Sequence, residues 1–191
     1  MVSDLPNDIE NYNDANFLQI SHPLKGLQRL AKDYRSRFDV PVIGITGSNG
    51  KTVVKEWIYQ LLSPERIITR SPRSYNSQIG VSLSLWQLNS NHDLGLFEAG
   101  ISKPNEMTRL QEMIQPTIGI FTNIGSAHPI NFSSLEEKIE EKLKLFTSCH
   151  TLICPEDDVF LYNIVKQWCK SREIKLISFK TEELSKELNI K

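Results

Sequence analysis

The chain contains the stretch VPVIGITGSNGKT, Val40 to Thr52, in which an apolar β-branched run is followed by a glycine-containing loop. The run is typical of a buried strand, and the amphipathic residues after Thr52 are typical of a helix. Gly47 and Gly50 allow backbone conformations in which successive N–H groups point inward, and the N-terminus of the following helix adds a positive dipole end. The stretch therefore predicts a strand, a phosphate-binding loop and a helix.

The loop also supplies side chains suited to a nucleotide. Lys51 can reach the β and γ phosphates, and the Thr52 hydroxyl can hold Mg²⁺. The general pattern GxxxxGK[ST] is not met in full, because Ile45 stands where its first glycine would fall. We interpret the loop as a specific variant, TGxNGKT. The predicted nucleotide-binding residues are Gly47, Ser48, Asn49, Gly50, Lys51 and Thr52.

On both sides of this loop, short apolar runs alternate with amphipathic segments. The runs predict strands over 40–46, 66–70, 94–98, 117–123, 151–154 and 175–179. Helices are predicted near 24–35, 52–62, 79–88, 105–114, 134–146 and 159–171. Such alternation predicts an α/β fold, a mostly parallel sheet with helices on both faces and right-handed crossovers. Ligands of such folds bind at the carboxyl ends of the strands.

Composition restricts the class of protein further. With 22 Lys and Arg against 23 Asp and Glu, the formal charge is −1, so no general basic field favours nucleic acid or an anionic membrane. No apolar run approaches the ~20 residues that span a bilayer, and the N-terminus lacks signal-peptide features. A cytoplasmic location is expected. Cys149, Cys154 and Cys169 lack paired CxxC spacing and are interpreted as free thiols.

The predicted domain organisation has two parts. Residues 1–37 are interpreted as a connector that contains one helix, and residues 38–191 as the nucleotide-binding domain. Trp57, Trp86 and Trp168 occupy apolar helical positions and are predicted to lie in the core.

Several motifs together resemble those of one family. TGSNGKT (Thr46 to Thr52) is similar to the ATP-binding loop of the Mur ligases and the related folylpolyglutamate synthetases. SYNSQIGVSLSLWQL, FEAG and TNIGSAH, which start at Ser74, Phe97 and Thr122, resemble further Mur ligase motifs. The resemblance covers about residues 38–150 strongly and implies a P-loop-type Mur ligase central domain, here partial.

The resemblance also implies metal ligands. Glu98, at the end of a predicted strand, would coordinate Mg²⁺ together with Thr52, and His128 would coordinate a second Mg²⁺. Lys142 matches the lysine that the family carbamylates, which would turn a cation into an anion with two oxygen donors. In the alternative interpretation, Lys142 belongs to a solvated helix face that pairs with Glu137 and Glu140.

Two segments are candidates for substrate binding. Ser74 and Asn76 precede a predicted helix, so they either cap it or line the acyl-acceptor side, as the resemblance suggests. Asn123, in the histidine motif, is the third candidate. A capping box is expected at the start of the later helix, from Ser133 or Ser134 with an acidic residue three positions on.

The resemblance implies an ATP-dependent carboxylate-amine ligase of peptidoglycan precursor synthesis, hence of cell wall formation. The motif variants are nearest to those of ligases that add D-alanyl-D-alanine to UDP-N-acetylmuramoyl tripeptide through an acyl phosphate, some of which are fused to an alanine racemase. Lys51, His128 and Lys142 would then act in catalysis, with ATP and two Mg²⁺ ions as cofactors. The family's N- and C-terminal domains are the expected partners, and the isolated chain is expected to be inactive.

Three alternatives stay open. A folylpolyglutamate synthetase is an enzyme of the same class with another substrate. A non-catalytic ATP-binding fragment belongs to a different class and would bind nucleotide without turnover. A phosphate-loop regulatory switch is disfavoured, because no apolar run ending in aspartate follows the loop.

Overall fold

The computed structural model describes residues 2–125, 131–180 and 182. Within these residues the strands are β1 (Val42–Thr46), β2 (Ile68–Arg70), β3 (Leu94–Glu98), β4 (Ile118–Phe121), β5 (Thr151–Pro155) and β6 (Lys175–Phe179). The helices are α1 (Pro23–Arg35), α2 (Lys51–Leu62), α3 (Gln78–Leu85), α4 (Met107–Ile114), α5 (Leu135–Leu143) and α6 (Val159–Lys170). The alternation predicted from sequence is confirmed, with boundaries that move by a few residues.

The strands form one sheet in the order β2-β3-β1-β4-β5-β6, and every pairing is parallel. The predicted α/β class with a parallel sheet is therefore confirmed. Strand β1 lies between β3 and β4, where the strand order reverses, so the loops after β1 and β4 leave a crevice at the carboxyl edge. The phosphate loop follows β1 and lies at this crevice.

Each face of the sheet packs against a different set of helices. On one face, Ile45 and Leu96 form a cluster with Val54 and Ile58 of α2. On the other face, a larger cluster joins side chains of α1 and α3 to α6, and Phe97 lies within it. Alternating strand residues thus point to opposite helical layers, because successive side chains of a strand point to opposite faces.

Helix α1 packs against α3 and α4. Ala31 is fully buried, and the buried Arg35 guanidinium donates hydrogen bonds to the carbonyls of Ile114 at 3.1 Å and Val40 at 3.2 Å. The helix of the predicted connector is therefore held on the same core as the sheet. The division at residues 37 and 38 stays a prediction.

The tryptophan prediction is wrong in part. Trp57 on α2 is 62% exposed and Trp86 is 40% exposed, whereas Trp168 packs against the larger cluster. Helical spacing shows that the tryptophans occupy apolar helical positions, but it does not show which face of each helix packs against the rest of the protein.

The three cysteines lie free and buried in the described part of the chain. Burial raises the pKa of the Cys149 and Cys154 thiols to about 12. Among the described residues, no helix has the length and apolar character needed to cross a membrane.

Candidate nucleotide site

The phosphate loop turns sharply between β1 and α2. Gly47 has φ +148° and Gly50 has φ +78°, both in the region that favours glycine. A Cβ on Gly47 would overlap the hydroxyl of Thr122, so the loop backbone packs tightly against the residue that follows β4. Gly50 caps the N-terminus of α2, and its carbonyl accepts a hydrogen bond from the Val54 N–H at 2.9 Å.

The segment after β4 holds this loop in place. The Asn123 carbonyl accepts from the Ser48 N–H at 2.9 Å, and the Asn123 side-chain oxygen accepts from the Asn49 N–H at 3.0 Å. The Asn123 amide group donates back to the Asn49 carbonyl at 3.1 Å, and the Thr122 hydroxyl donates to the same carbonyl at 2.6 Å. Both polar ends of the Asn123 side chain are thus engaged by the phosphate loop.

Lys51 lies half-buried against its own loop. Its ammonium donates to the carbonyls of Gly47 at 2.9 Å and Ser48 at 3.3 Å. Burial lowers the pKa of Lys51, and the negative charge of Glu98 opposes that effect. The Ser48 hydroxyl is buried and has no hydrogen-bond partner among the described residues. An unsatisfied polar atom beside a lysine in such a loop fits a site for phosphate oxygens.

Glu98 ends β3 directly beside the start of α2. Its carboxylate is fully buried, and one oxygen accepts a hydrogen bond from the Thr52 hydroxyl at 3.0 Å. The other oxygen lies 2.9 Å from the ammonium of Lys55. Oxygen donors of this kind suit a hard cation such as Mg²⁺. The predicted metal residues Thr52 and Glu98 are therefore brought together, in a donor set that fits magnesium.

Lys142 reaches the same loop from α5. The helix begins at Leu135 and is preceded by Ser134, whose hydroxyl accepts the Glu137 N–H at 3.1 Å, so the predicted cap is confirmed with Ser134 as the capping residue. The Lys142 side chain is 3% exposed, and its ammonium donates to the Gly47 carbonyl at 3.1 Å. The alternative interpretation, a solvated face, is wrong for Lys142.

The surroundings of Lys142 disfavour its charged form. Burial lowers the pKa of the ammonium to about 7, assisted by the positive charges of Lys51 and Lys138. The neighbouring Glu141 points away, since its carboxylate accepts the Met107 N–H at 3.1 Å and lies 2.6 Å from the ammonium of Lys144. A substantial fraction of Lys142 is therefore a neutral amine near pH 7.

His128, the other predicted magnesium ligand, belongs to residues 126–130 and lies outside the described residues. Its predicted role stays a prediction.

The two other predicted substrate residues lie in the turn between β2 and α3. Ser74 is exposed, whereas Asn76 lines a cavity of about 440 Å³ that Lys51 also lines. The Asn76 carbonyl accepts the Gly100 N–H at 2.9 Å, which joins the turn to the end of β3. Ser77, and neither predicted residue, caps α3, because its hydroxyl accepts the Gly80 N–H at 3.2 Å.

Two charged residues of this region were not predicted from the sequence. Lys55 is fully buried beside Glu98, and Glu106 lines the cavity with its carboxylate bound to the N–H groups of Ser102 and Lys103. Burial tends to raise the pKa of Glu106, but these hydrogen bonds hold it below its ordinary value. The only sequence signal for Lys55 is its spacing of one helical turn from Lys51. Glu106 carries no recognisable motif.

Three features together define a nucleotide-binding domain of the P-loop type. The first is a phosphate loop at the point where the order of a parallel sheet reverses. The others are a strand-end carboxylate beside the loop threonine and a buried lysine against the loop. The chain belongs to the Mur ligase family: the model of the Mur ligase middle domain matches residues 45–191.

The relatives point to one branch of that family. The chain is 36% identical over 128 residues to a UDP-N-acetylmuramoyl-tripeptide--D-alanyl-D-alanine ligase from Synechocystis sp., across 67% of this chain and 28% of that protein. It resembles the structure of MurF from Thermotoga maritima in complex with ADP at TM-score 0.76 and 25% identity, across 89% of this chain and 39% of that one. A folylpolyglutamate synthetase from Helicobacter pylori shares the fold at TM-score 0.61 and 16% identity, across 83% of this chain and 50% of that one.

The chain spans about a third of the length of the curated relatives it matches, for example 28% of the Synechocystis protein and 37% of the Borreliella burgdorferi protein.

Proposed function

We propose that the chain is the ATP-binding part of an ATP-dependent carboxylate-amine ligase. The observation that carries this proposal is the meeting of three groups at one loop: the Lys51 ammonium, the Thr52 and Glu98 pair and the buried Lys142 ammonium. Loop N–H groups and Lys51 would bind the ATP phosphates. The γ-phosphoryl would pass to a substrate carboxylate to give an acyl phosphate, which the incoming amine attacks with release of phosphate.

The protein's task in such a reaction is to position reactants and neutralise charge. Thr52 and Glu98 would hold one Mg²⁺, and His128 with a carbamylated Lys142 would hold a second. Magnesium, when bound, supplies positive charge that offsets the charge on the phosphate oxygens. Thr52 and Glu98 are already linked by a hydrogen bond, so little reorganisation of these two residues is needed.

The environment of Lys142 supports the proposal that this residue is carbamylated. A neutral amine attacks CO₂, one proton is released, and the product is an anionic carbamate. The lowered pKa of about 7 supplies the neutral amine, and a neighbouring divalent cation would favour the anionic product. Carbamylation would also remove the repulsion between Lys142 and Lys51, because it exchanges one of the two positive charges for a negative one.

The proposed substrates are UDP-N-acetylmuramoyl tripeptide and D-alanyl-D-alanine, in peptidoglycan precursor synthesis in the cytoplasm. Support comes from the activity for which the Synechocystis relative is named and from its higher sequence identity, compared with the folylpolyglutamate synthetase. The cavity lined by Asn76 and Lys51 would receive the substrate carboxylate. The N- and C-terminal ligase domains are the proposed partners. The 191-residue polypeptide alone would bind ATP without forming product, since it matches only about a third of the length of these relatives.

Calorimetric titration of the chain with ADP and ATP, with and without Mg²⁺, tests the nucleotide proposal. We expect saturable binding that Mg²⁺ strengthens. Binding that is absent under both conditions would contradict a nucleotide-binding function of any kind.

A chimaera tests the ligase proposal. In it, this chain replaces the matching 39% of the Thermotoga maritima MurF. We expect formation of ADP, phosphate and the D-alanyl-D-alanine adduct from the tripeptide substrate. A folded chimaera that binds ADP but gives no adduct would overturn the ligase proposal while leaving nucleotide binding intact. A panel including a folate and glutamate decides between the two substrate classes.

A further inference from the structure

Lys55 is among the largest fully buried side chains of the described residues, although it carries an ammonium group. It lies one helical turn after Lys51 on α2. Its ammonium is 2.9 Å from one oxygen of Glu98 and 3.2 Å from the half-buried carboxylate of Glu56. A buried charge persists only when such partners compensate for lost hydration.

The same ammonium also holds a backbone turn. It donates to the Ser71 carbonyl at 2.7 Å and to the Arg73 carbonyl. Arg73 has a φ of +49°, and the Ser71 hydroxyl accepts the Glu98 N–H at 3.2 Å. Lys55 thus connects the helix of the phosphate loop, the end of β3 and the 71–77 turn, which is the segment that brings Asn76 to the cavity beside Lys51.

We propose that Lys55 is a positioning residue that fixes the Glu98 carboxylate and the 71–77 turn relative to the phosphate loop. Only one part of this inference rests on the proposed function, namely the expected effect of Lys55 on magnesium binding through Glu98. One Glu98 oxygen accepts a hydrogen bond from Thr52, and the other lies 2.9 Å from the Lys55 ammonium as an ion pair, so the carboxylate is contacted from both sides. That second oxygen is buried and has no hydrogen-bond donor among the described residues, so the charge of Lys55 compensates for its lost hydration.

Lys55 and Lys51 differ in their contacts and therefore in the roles that the geometry allows them. Within the described residues, the hydrogen bonds of the Lys51 ammonium go to its own loop, and displacing it frees an ammonium for phosphate. Lys55 has four partners, two of them backbone carbonyls, and is fully buried. It acts through Glu98 and the turn and does not touch phosphate itself.

The first test compares ADP affinity with and without Mg²⁺ in the 191-residue chain. Lys55→Met keeps the length of the side chain and removes its charge. We expect the strengthening of ADP binding by Mg²⁺ to fall about tenfold, while Mg²⁺-free affinity changes by less than about twofold. Glu56→Gln is the matched control, because it removes the other, more exposed carboxylate of the same ammonium; it is expected to leave the Mg²⁺ effect unchanged.

The second test does not depend on nucleotide. Glu98→Gln is compared with the double variant Lys55→Met/Glu98→Gln, in which no carboxylate is left unpaired beside β3. We expect the Tyr75 amide, which donates to the Pro72 carbonyl at 3.1 Å, to exchange its hydrogen about tenfold faster in the double variant. Glu98→Gln alone keeps Lys55 on the Ser71 and Arg73 carbonyls and is expected to keep the amide protected.

The outcomes separate the two proposals. If Lys55→Met lowers the melting temperature but leaves the Mg²⁺ effect intact, Lys55 is merely structural and the inference fails for Glu98. If the double variant protects the Tyr75 amide as well as Glu98→Gln does, the inference fails for the turn. If the unaltered chain binds no ADP, the proposed function fails, and the exchange experiment still decides the role of Lys55 in the turn.

Discussion

The Lys142 ammonium lies 3.1 Å from the carbonyl oxygen of Gly47, which also accepts a hydrogen bond from Lys51 at 2.9 Å. Two lysines from different helices therefore share one acceptor in the phosphate loop. Two like charges at one acceptor repel, and Lys142 is also buried, so its charged form is disfavoured. The chain keeps this arrangement at a cost in stability, as expected where charges are arranged for a ligand.

The pKa of Lys142 predicts how stability changes with pH. A lysine in the unfolded chain has a pKa of about 10.4, whereas the folded value is about 7. Between these values the unfolded chain binds more protons, so the free energy of unfolding rises with pH; below pH 7 the penalty is complete. We expect urea unfolding in CO₂-depleted buffer to show stability increasing from about pH 6.5 to about pH 7.5.

Lys142→Met provides the comparison for that experiment. It keeps most of the apolar stem and removes the titrating group, so its stability should depend less on pH over the same interval. The interval ends about one pH unit below the pKa of unfolded cysteine, which is about 8.5, so the buried thiols contribute little to the change. An unchanged pH profile in Lys142→Met would show that Lys142 is not the group responsible.

Lys51→Ala is expected to weaken nucleotide binding far more than it weakens the fold. Lys51 is half-buried, and its hydrogen bonds to described residues go to carbonyls of its own loop, so little packing is lost. Charge-assisted contacts to phosphate account for about 1.5–3 kcal/mol. Calorimetric titration should therefore show ADP affinity falling at least tenfold.

The melting temperature without ADP is the control for Lys51→Ala. A decrease as large as that caused by a core truncation, such as Leu96→Ala, would identify Lys51 as structural instead.

The sequence predicted the fold well because its signals are local. Each apolar run and each amphipathic segment reports its own burial, and the loop TGSNGKT fixes which strand lies at the reversal point. The exposure of a helix face, in contrast, depends on which side of the helix packs against the sheet. Trp57 lies at an apolar position of α2 yet is 62% exposed, because α2 covers the sheet through Val54 and Ile58 on another side.

The site was predicted only where a motif names the residue. Glu98 and Lys142 followed from the resemblance, and both reach the loop. Lys55 could not be predicted, since its role depends on Ser71 and Arg73, which approach it only when β2 pairs with β3. Contacts between segments distant in sequence leave no spacing signal in a single chain.

Gly47→Ala should disturb the phosphate loop without removing any hydrogen-bonding group. The residue has φ +148°, and an added Cβ would overlap the Thr122 hydroxyl. Strain of this kind costs about 1–3 kcal/mol, so the melting temperature should fall and ADP binding should weaken with it.

Gly47→Ala combined with Thr122→Ser distinguishes overlap from backbone strain. Serine keeps the hydroxyl but can rotate it away, so partial recovery would indicate that overlap is the main cause. A Gly47→Ala chain that melts and binds ADP as the unaltered chain does would contradict the loop geometry.

The two asparagines predicted to bind substrate should give different results when each is replaced by alanine. Asn123 has its side-chain oxygen on the Asn49 N–H and its amide group on the Asn49 carbonyl, whereas the Asn76 side chain lines the cavity beside Lys51. Each lost hydrogen bond contributes about 1 kcal/mol. Asn123→Ala should therefore loosen the loop, weaken ADP binding about tenfold and lower the melting temperature. Asn76→Ala should leave ADP binding unchanged and, in the chimaeric ligase, raise the KM for the tripeptide substrate. If Asn123→Ala instead left ADP affinity intact and raised only that KM, its role would be in substrate binding, as first predicted from the sequence.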